Sequence, residues 1–331
     1  MKFLKNHLFT IIAFLIAIVF VGIILKDFKW NEIKNGLQSA NYFYIIFVFL
    51  LTLLSYLFRA IRWNILFEPM GYSISNQSAF WSISLGYFFN LGIPRSGEII
   101  RATYLYKLEH IPVEKSIASI VLERVVDFIF LLIFILLNLF LNFELFISFL
   151  NFGNFERFKN FHFLFYPFIV ISISVILFIL FKKQIQKNSI YNKINTIVIS
   201  FIEGLQSIFK LKKRLHFILY SIGIWVCYFF MSYFTLMAFK ETENISLQLS
   251  LFVLIAGAFG LIFPAAGGLG YPIALGFGFA AIYLSQNLPI AQGKELGIYY
   301  GILSYFFQVL AVLILGIYAL FYVAKNKKII K

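Results

Sequence analysis

Ser116–Leu141 reads SIASIVLERVVDFIFLLIFILLNLFL. Beyond Asp127 it is apolar at every position except Asn138. It is long enough as a helix to cross a hydrocarbon core about 30 Å thick. Glu123-Arg124-Val-Val-Asp127 stands near its start. Ionisable groups at membrane depth cost several kcal/mol or more, so they are kept for pairing, a pathway or a binding site. The stretch therefore reads as a membrane-spanning helix with a charged motif built into it.

Further apolar blocks lie on either side, at Leu8–Leu25, Tyr42–Phe58, Phe163–Phe181, His216–Phe239 and Leu296–Val323. The 331 residues are 61% hydrophobic and 13% charged, with mean hydropathy +0.89. A soluble domain carries about 45–50% apolar and about 25% charged residues. A water-soluble fold could not cover this much apolar surface, which excludes soluble enzymes and disordered chains. Strands of a membrane barrel would be about 10 residues of alternating polarity, and these blocks do not alternate. The expected fold is an all-α polytopic membrane helix bundle, a single integral membrane domain over residues 1–331. No stretch is long and polar enough for a separate catalytic domain.

The one cysteine, Cys227, lies in an apolar run, and His7, His110, His162 and His216 are scattered. No disulfide framework, metal site or other cofactor is expected. The net charge of +14 points to topology and contact with anionic lipid, not to nucleic acid. Eight basic residues fall in the loop 182–215, and Lys325, Lys327, Lys328 and Lys331 follow the last block; both regions are expected in the cytoplasm. Within that loop Ile194, Ile197, Val198, Phe201, Ile202 and Leu205 recur at helical spacing, the pattern of an amphipathic interfacial helix. Asp27–Asn41 suggests a second interfacial segment. Asn76–Pro94 is interrupted by Asn76, Gln77, Ser78, Ser82, Ser84 and Asn90. Its polarity favours a re-entrant segment over a span, and that choice puts both termini in the cytoplasm.

Pro94-Arg95-Ser-Gly97-Glu98-Ile-Ile-Arg101 closes this polar segment. On the following helix Glu123 and Asp127 are four apart and Arg124 and Asp127 three apart, so they share neighbouring faces. The two motifs can meet as Glu98–Arg124 and Arg101–Asp127. Such pairs either lock a re-entrant loop or leave an arginine to reach an anionic headgroup, since guanidinium matches phosphate bidentately. Aligning Pro94 with Pro264 puts Gly97 on Gly267 and Phe89 on Phe259. Short interrupted segments in both halves are the pattern of an inverted repeat with a site near the midplane. In the second half, Gly267, Gly268 and Gly270 would supply backbone amides or close packing.

Four runs in order carry a resemblance: Arg59-Ala-Ile-Arg62-Trp63, Pro94-Arg-Ser-Gly97-Glu98-Ile-Ile-Arg101, Glu123-Arg124-x-x-Asp127 and Pro264-Ala-Ala-Gly267-Gly268-Leu-Gly270. Together they resemble the flippase-like transmembrane family that includes the membrane half of bacterial lysylphosphatidylglycerol synthase. The resemblance implies an integral membrane lipid translocase of about eight spans, in the bacterial cytoplasmic membrane. Arg62, Arg95, Glu98, Arg101, Glu123, Arg124, Asp127, Gly267, Gly268 and Gly270 would be its substrate-binding residues. The family pattern sets an acid three residues after the last glycine, where this chain has Ile273. The implied partners are membrane lipids with anionic headgroups, with a separately encoded lipid-modifying enzyme and self-association left open. No catalytic motif is found, so the chain is read as a transporter and not an enzyme. The alternatives are a membrane-embedded lipid-linked glycosyl- or aminoacyl-transferase, and an accessory subunit of a lipid-modifying enzyme.

Overall fold

Asn41 caps the first long helix, its Oδ1 accepting from the Phe43 N–H at 3.1 Å. That helix, α1 (Tyr42–Phe67), runs into a 3-10 turn at Glu68–Met70. The turn closes on Gly71, whose φ of +80° is a left-handed conformation that favours glycine. The computed structural model describes residues 34, 37–92, 96–152, 211–262 and 270–326. After α1 come α2 (Asn76–Gly92), α3 (Gly97–Glu109), α4 (Val113–Leu141) and α5 (Phe143–Phe152). The second half holds α6 (Arg214–Met237), α7 (Leu247–Ile262), α8 (Gly270–Ser285) and α9 (Ile290–Asn326). The described residues contain no strand, so the fold is the helical membrane bundle that the composition requires. The blocks Leu8–Leu25 and Phe163–Phe181, the amphipathic part of loop 182–215 and the tips around Pro94 and Pro264 lie outside the described residues.

Tyr42–Met70, Arg214–Met237 and Ile290–Lys325 are long and apolar enough to cross a membrane. α1 shows how such a helix divides its surface. It exposes Phe43, Ile46, Phe47, Leu50, Leu54 and Leu57, whereas Thr52, Ser55, Tyr56, Arg59, Arg62, Trp63 and Leu66 are buried at i, i+3, i+4 spacing. An apolar outside around a polar stripe is the reverse of a soluble helix and suits a lipid solvent. α4 likewise exposes Phe128, Leu132, Ile133, Leu136 and Phe140 while burying Ser116, Ser119 and Glu123.

The polar segment after α1 folds back on itself. α2 and α3 pack as an antiparallel hairpin whose open end is held by the Ser75 N–H donating to Glu109 Oε1 at 3.3 Å. At 17 residues, α2 is about 25 Å long, too short to cross and leave a separate return helix. The same end of the bundle carries the Lys213–Glu68 ion pair, so the chain re-enters the end it left. α7 and α8 form a second hairpin from the opposite end. There Gln248 Nε2 donates to Leu141 O at 2.8 Å, and the Asn41 N–H donates to Ala238 O at 2.8 Å. α9 carries both hairpins. Its first half packs Gly293 and Gly301 against Tyr283 and Pro272 of α8, and its second half packs Gly316 against Phe88 of α2.

The tip of the first hairpin depends on close approach. A Cβ on Gly97 would run into Gly86 O and the Asn90 amide, and the Gly97 N–H donates to Asn90 Oδ1 at 2.7 Å. Neither the backbone oxygen nor the engaged Asn90 can give way cheaply. Gly97→Ala is therefore expected to destabilise the protein by about 1–3 kcal/mol, the usual cost of overpacking. A lowered unfolding temperature of the purified protein checks it, and an unchanged one would show that the hairpin does not need this contact.

Candidate functional site

The four helices α1, α3, α4 and α6 each send polar side chains to one buried cluster. Arg59 and Arg62 lie three apart on α1, and Glu123 and Asp127 four apart on α4, so each pair shares a helix face. Asp127 sits between the two arginines of α1, with Oδ2 2.9 Å from Arg59 Nη1 and Oδ1 2.8 Å from Arg62 Nη1. Glu123 sits between α1 and α3, with Oε2 2.7 Å from Arg101 Nη1 and Oε1 3.4 Å from Arg62 Nη2. α6 completes the ring: Arg59 Nη2 donates to the Tyr228 hydroxyl at 2.9 Å and Arg62 Nη1 to Ser221 Oγ at 3.2 Å.

Burial is near total, with Arg62 0%, Glu123 1% and Arg101 6% exposed. Two carboxylates face three guanidiniums, so the buried group holds one surplus positive charge. Trp63 fixes the plane of Arg101. Its indole N–H donates to Ser119 Oγ at 2.8 Å, and Arg101 Cζ lies 3.5 Å from the ring centroid, a cation–π stack. Arg101 Nε and Nη2 are buried without a hydrogen-bond partner.

Arg101 also lines a small cleft between α2, α3 and α4, with Ile83, Gly86, Tyr87, Asn90, Gly97, Glu98 and Arg124 around it. Arg124 Nη2 donates to Glu98 Oε1 at 3.0 Å across this cleft. Their side chains are 50% and 32% exposed, whereas the pairs behind them are buried. The cleft thus has an exposed ion pair outside and an under-partnered guanidinium within. Guanidinium, amide and hydroxyl donors suit an anion. Among the described residues no group of three or more His, Cys, Asp or Glu side chains is placed to hold a metal ion.

Of the residues singled out from the sequence, Arg62, Glu98, Arg101, Glu123, Arg124 and Asp127 converge here. Arg95, Gly267 and Gly268 lie outside the described residues, and Gly270 opens α8 in the other hairpin. The Glu98–Arg124 pair forms as its spacing allowed. The Arg101–Asp127 pair does not: Arg101 meets Glu123, because Asp127 is one turn further along α4 and is taken by the two arginines of α1. Arg59, Tyr87, Asn90, Ser221 and Tyr228 were missed. Arg59 reads in sequence as a basic residue ending a span; its spacing of three from Arg62 was the available signal that both face inward.

Comparison with known proteins gives the chain its family. Over 140 residues the chain is 32% identical to the UPF0104 membrane protein MJ1595 of Methanocaldococcus jannaschii, covering 40% of each chain. The match thus spans about two fifths of that relative's length. No solved structure matches. The family model described as the lysylphosphatidylglycerol synthase TM region matches residues 10–311, nearly the whole of the bundle and all of the charge cluster. The chain belongs to that family of membrane proteins.

Proposed function

We propose that this protein is a lipid translocase, not an enzyme, and that the arginine and carboxylate cluster receives an anionic lipid headgroup. The observation that carries the reading is Arg101. It is a buried guanidinium with unpartnered N–H donors on the wall of a cleft, in a cluster with one more arginine than carboxylates. An unsatisfied buried donor is costly, and a headgroup phosphate would supply what Arg101 lacks. The exposed apolar belts on α1 and α4 leave the acyl chains in lipid while the headgroup is held.

Hairpins entering from opposite ends and packing on one long helix suit alternating access, in which one hairpin rocks against the other. The chain contains no P-loop sequence, so movement would be passive or driven by a gradient, through a shift in inward and outward populations. The end bearing Lys212, Lys213, Arg214 and Lys325 is assigned to the cytoplasm by its positive charge. α9 ends at Asn326 on that side, and Leu8–Leu25, read as a span, would return the N-terminus there too. A bacterial cytoplasmic membrane fits this assignment.

The test is purified protein in liposomes, with fluorescent lipids of different headgroups followed by leaflet-selective quenching. Protein-dependent movement that prefers anionic headgroups is expected. No movement of any lipid beyond empty vesicles would overturn the translocase reading and favour an accessory role beside a lipid-modifying enzyme.

A further inference from the structure

The pair at the mouth of the cleft differs from the pairs behind it. Arg59, Arg62 and Asp127 are interlocked, each arginine held by a carboxylate and by an α6 hydroxyl. Arg124 and Glu98 meet through one contact at 3.0 Å with both side chains partly exposed. That contact joins the α2–α3 hairpin to α4 directly over the cleft that Arg101 lines. A partly exposed pair held by one contact contributes less than an interlocked buried one. Arg124 is therefore free to exchange a carboxylate for a better-matched anion, and phosphate accepts two N–H donors from one guanidinium.

We infer that Glu98 is an internal competitor for the ligand's phosphate. In the structure its carboxylate occupies Arg124 and bridges the hairpin to α4, and an entering phosphate displaces it and reaches Arg101 behind. Glu98 is thus a positioning residue and Arg124 the outer ligand contact. Glu123 stays on the inner side, held by Arg101 Nη1 at 2.7 Å and Arg62 Nη2 at 3.4 Å, while Arg101 offers its unpartnered Nε and Nη2 to the phosphate. The inference rests on the headgroup reading of this cleft and is tested separately from transport.

The experiment is equilibrium binding to the full-length protein in detergent. The probes are dioctanoyl phosphatidylglycerol and inorganic phosphate, and the variants are Glu98→Gln, Glu98→Ala, Arg124→Gln and the double variant Glu98→Gln/Arg124→Gln. Removing the competitor is expected to tighten Kd about two- to fivefold, the range that loss of an exposed ion pair allows. The gain should be absent in the Arg124→Gln background. A gain with the lipid alone supports a site that reads the headgroup with its glycerol backbone; a gain with both probes supports a site that reads phosphate itself. Unchanged or weaker binding in the Glu98 variants, an equal gain without Arg124, or no binding by any form overturns the inference. Tightening without lipid movement in liposomes would reject the translocase and leave the exchange standing. Lipid movement without tightening would reject the exchange alone.

Discussion

Asp127→Ala is expected to destabilise the folded protein by about 3–5 kcal/mol, the cost of leaving a buried ion pair half made. Asp127 is the carboxylate with two close arginines, 2.9 Å from Arg59 and 2.8 Å from Arg62. Without it, three buried guanidiniums face Glu123 alone, so the surplus rises from one positive charge to two. Arg59 would keep only neutral partners, the Tyr228 hydroxyl and the Tyr87 ring. Nothing in lipid can solvate the released charge, so the α1–α4 contact should open. The measurement is the unfolding temperature and the monodisperse yield of the purified variant. Removing both members of the pair should behave differently. Arg59→Met with Asp127→Leu leaves two arginines and one carboxylate, which restores the original surplus of one. Apolar replacement of a whole buried pair is often neutral or better, so this double variant should recover most of the yield. An Asp127→Ala protein as stable as wild type would remove Asp127 from the structural framework.

The contrast between those variants bears on how much the sequence disclosed. Ser116–Leu141 announces a membrane helix through its length and apolar content, and the bundle follows from repeating that reading. The first hairpin was legible because Ser82, Ser84 and Asn90 made Asn76–Pro94 too polar to sit in lipid. In the fold Ser82 and Ser84 are fully buried, facing protein instead. The cluster was legible as a set of residues, since charged motifs in apolar runs have few places to go.

Its wiring was not legible. Helical spacing fixes which side chains share a face, but the partner of Arg101 depends on the height at which α3 meets α4. A shift of one turn separates Glu123 from Asp127, and no local pattern sets that height. The side chain that ties the two helices together is Trp63 of α1, which stacks on Arg101 of α3 and donates to Ser119 of α4. Arg59 was missed for a related reason. A basic residue near the end of an apolar run looks like an interfacial anchor until the next helix is known to bring it a carboxylate.

Arg101→Gln is expected to reduce lipid movement at least about thirtyfold while leaving the protein folded. Truncating one member of a desolvated, hydrogen-bonded charge pair costs about 2–5 kcal/mol of binding, and 2 kcal/mol is already about thirtyfold. Folding survives because of the charge count. Arg59 and Arg62 against Glu123 and Asp127 are balanced, so removing the surplus arginine leaves the buried group neutral. Arg62, 3.4 Å from Glu123, can then close on the carboxylate that Arg101 releases. Arg101→Lys tests the geometry apart from the charge. Lysine keeps the surplus charge but has no planar fork to engage Glu123 and a phosphate together, so it should recover only a small part of the rate. Rates come from leaflet-selective quenching in liposomes, and folding from size exclusion and thermal unfolding of the same preparations. If Arg101→Gln and Arg101→Lys both fold and both move lipid at the wild-type rate, Arg101 does not hold the headgroup. The surplus charge would then have to be explained by the packing of the cluster alone.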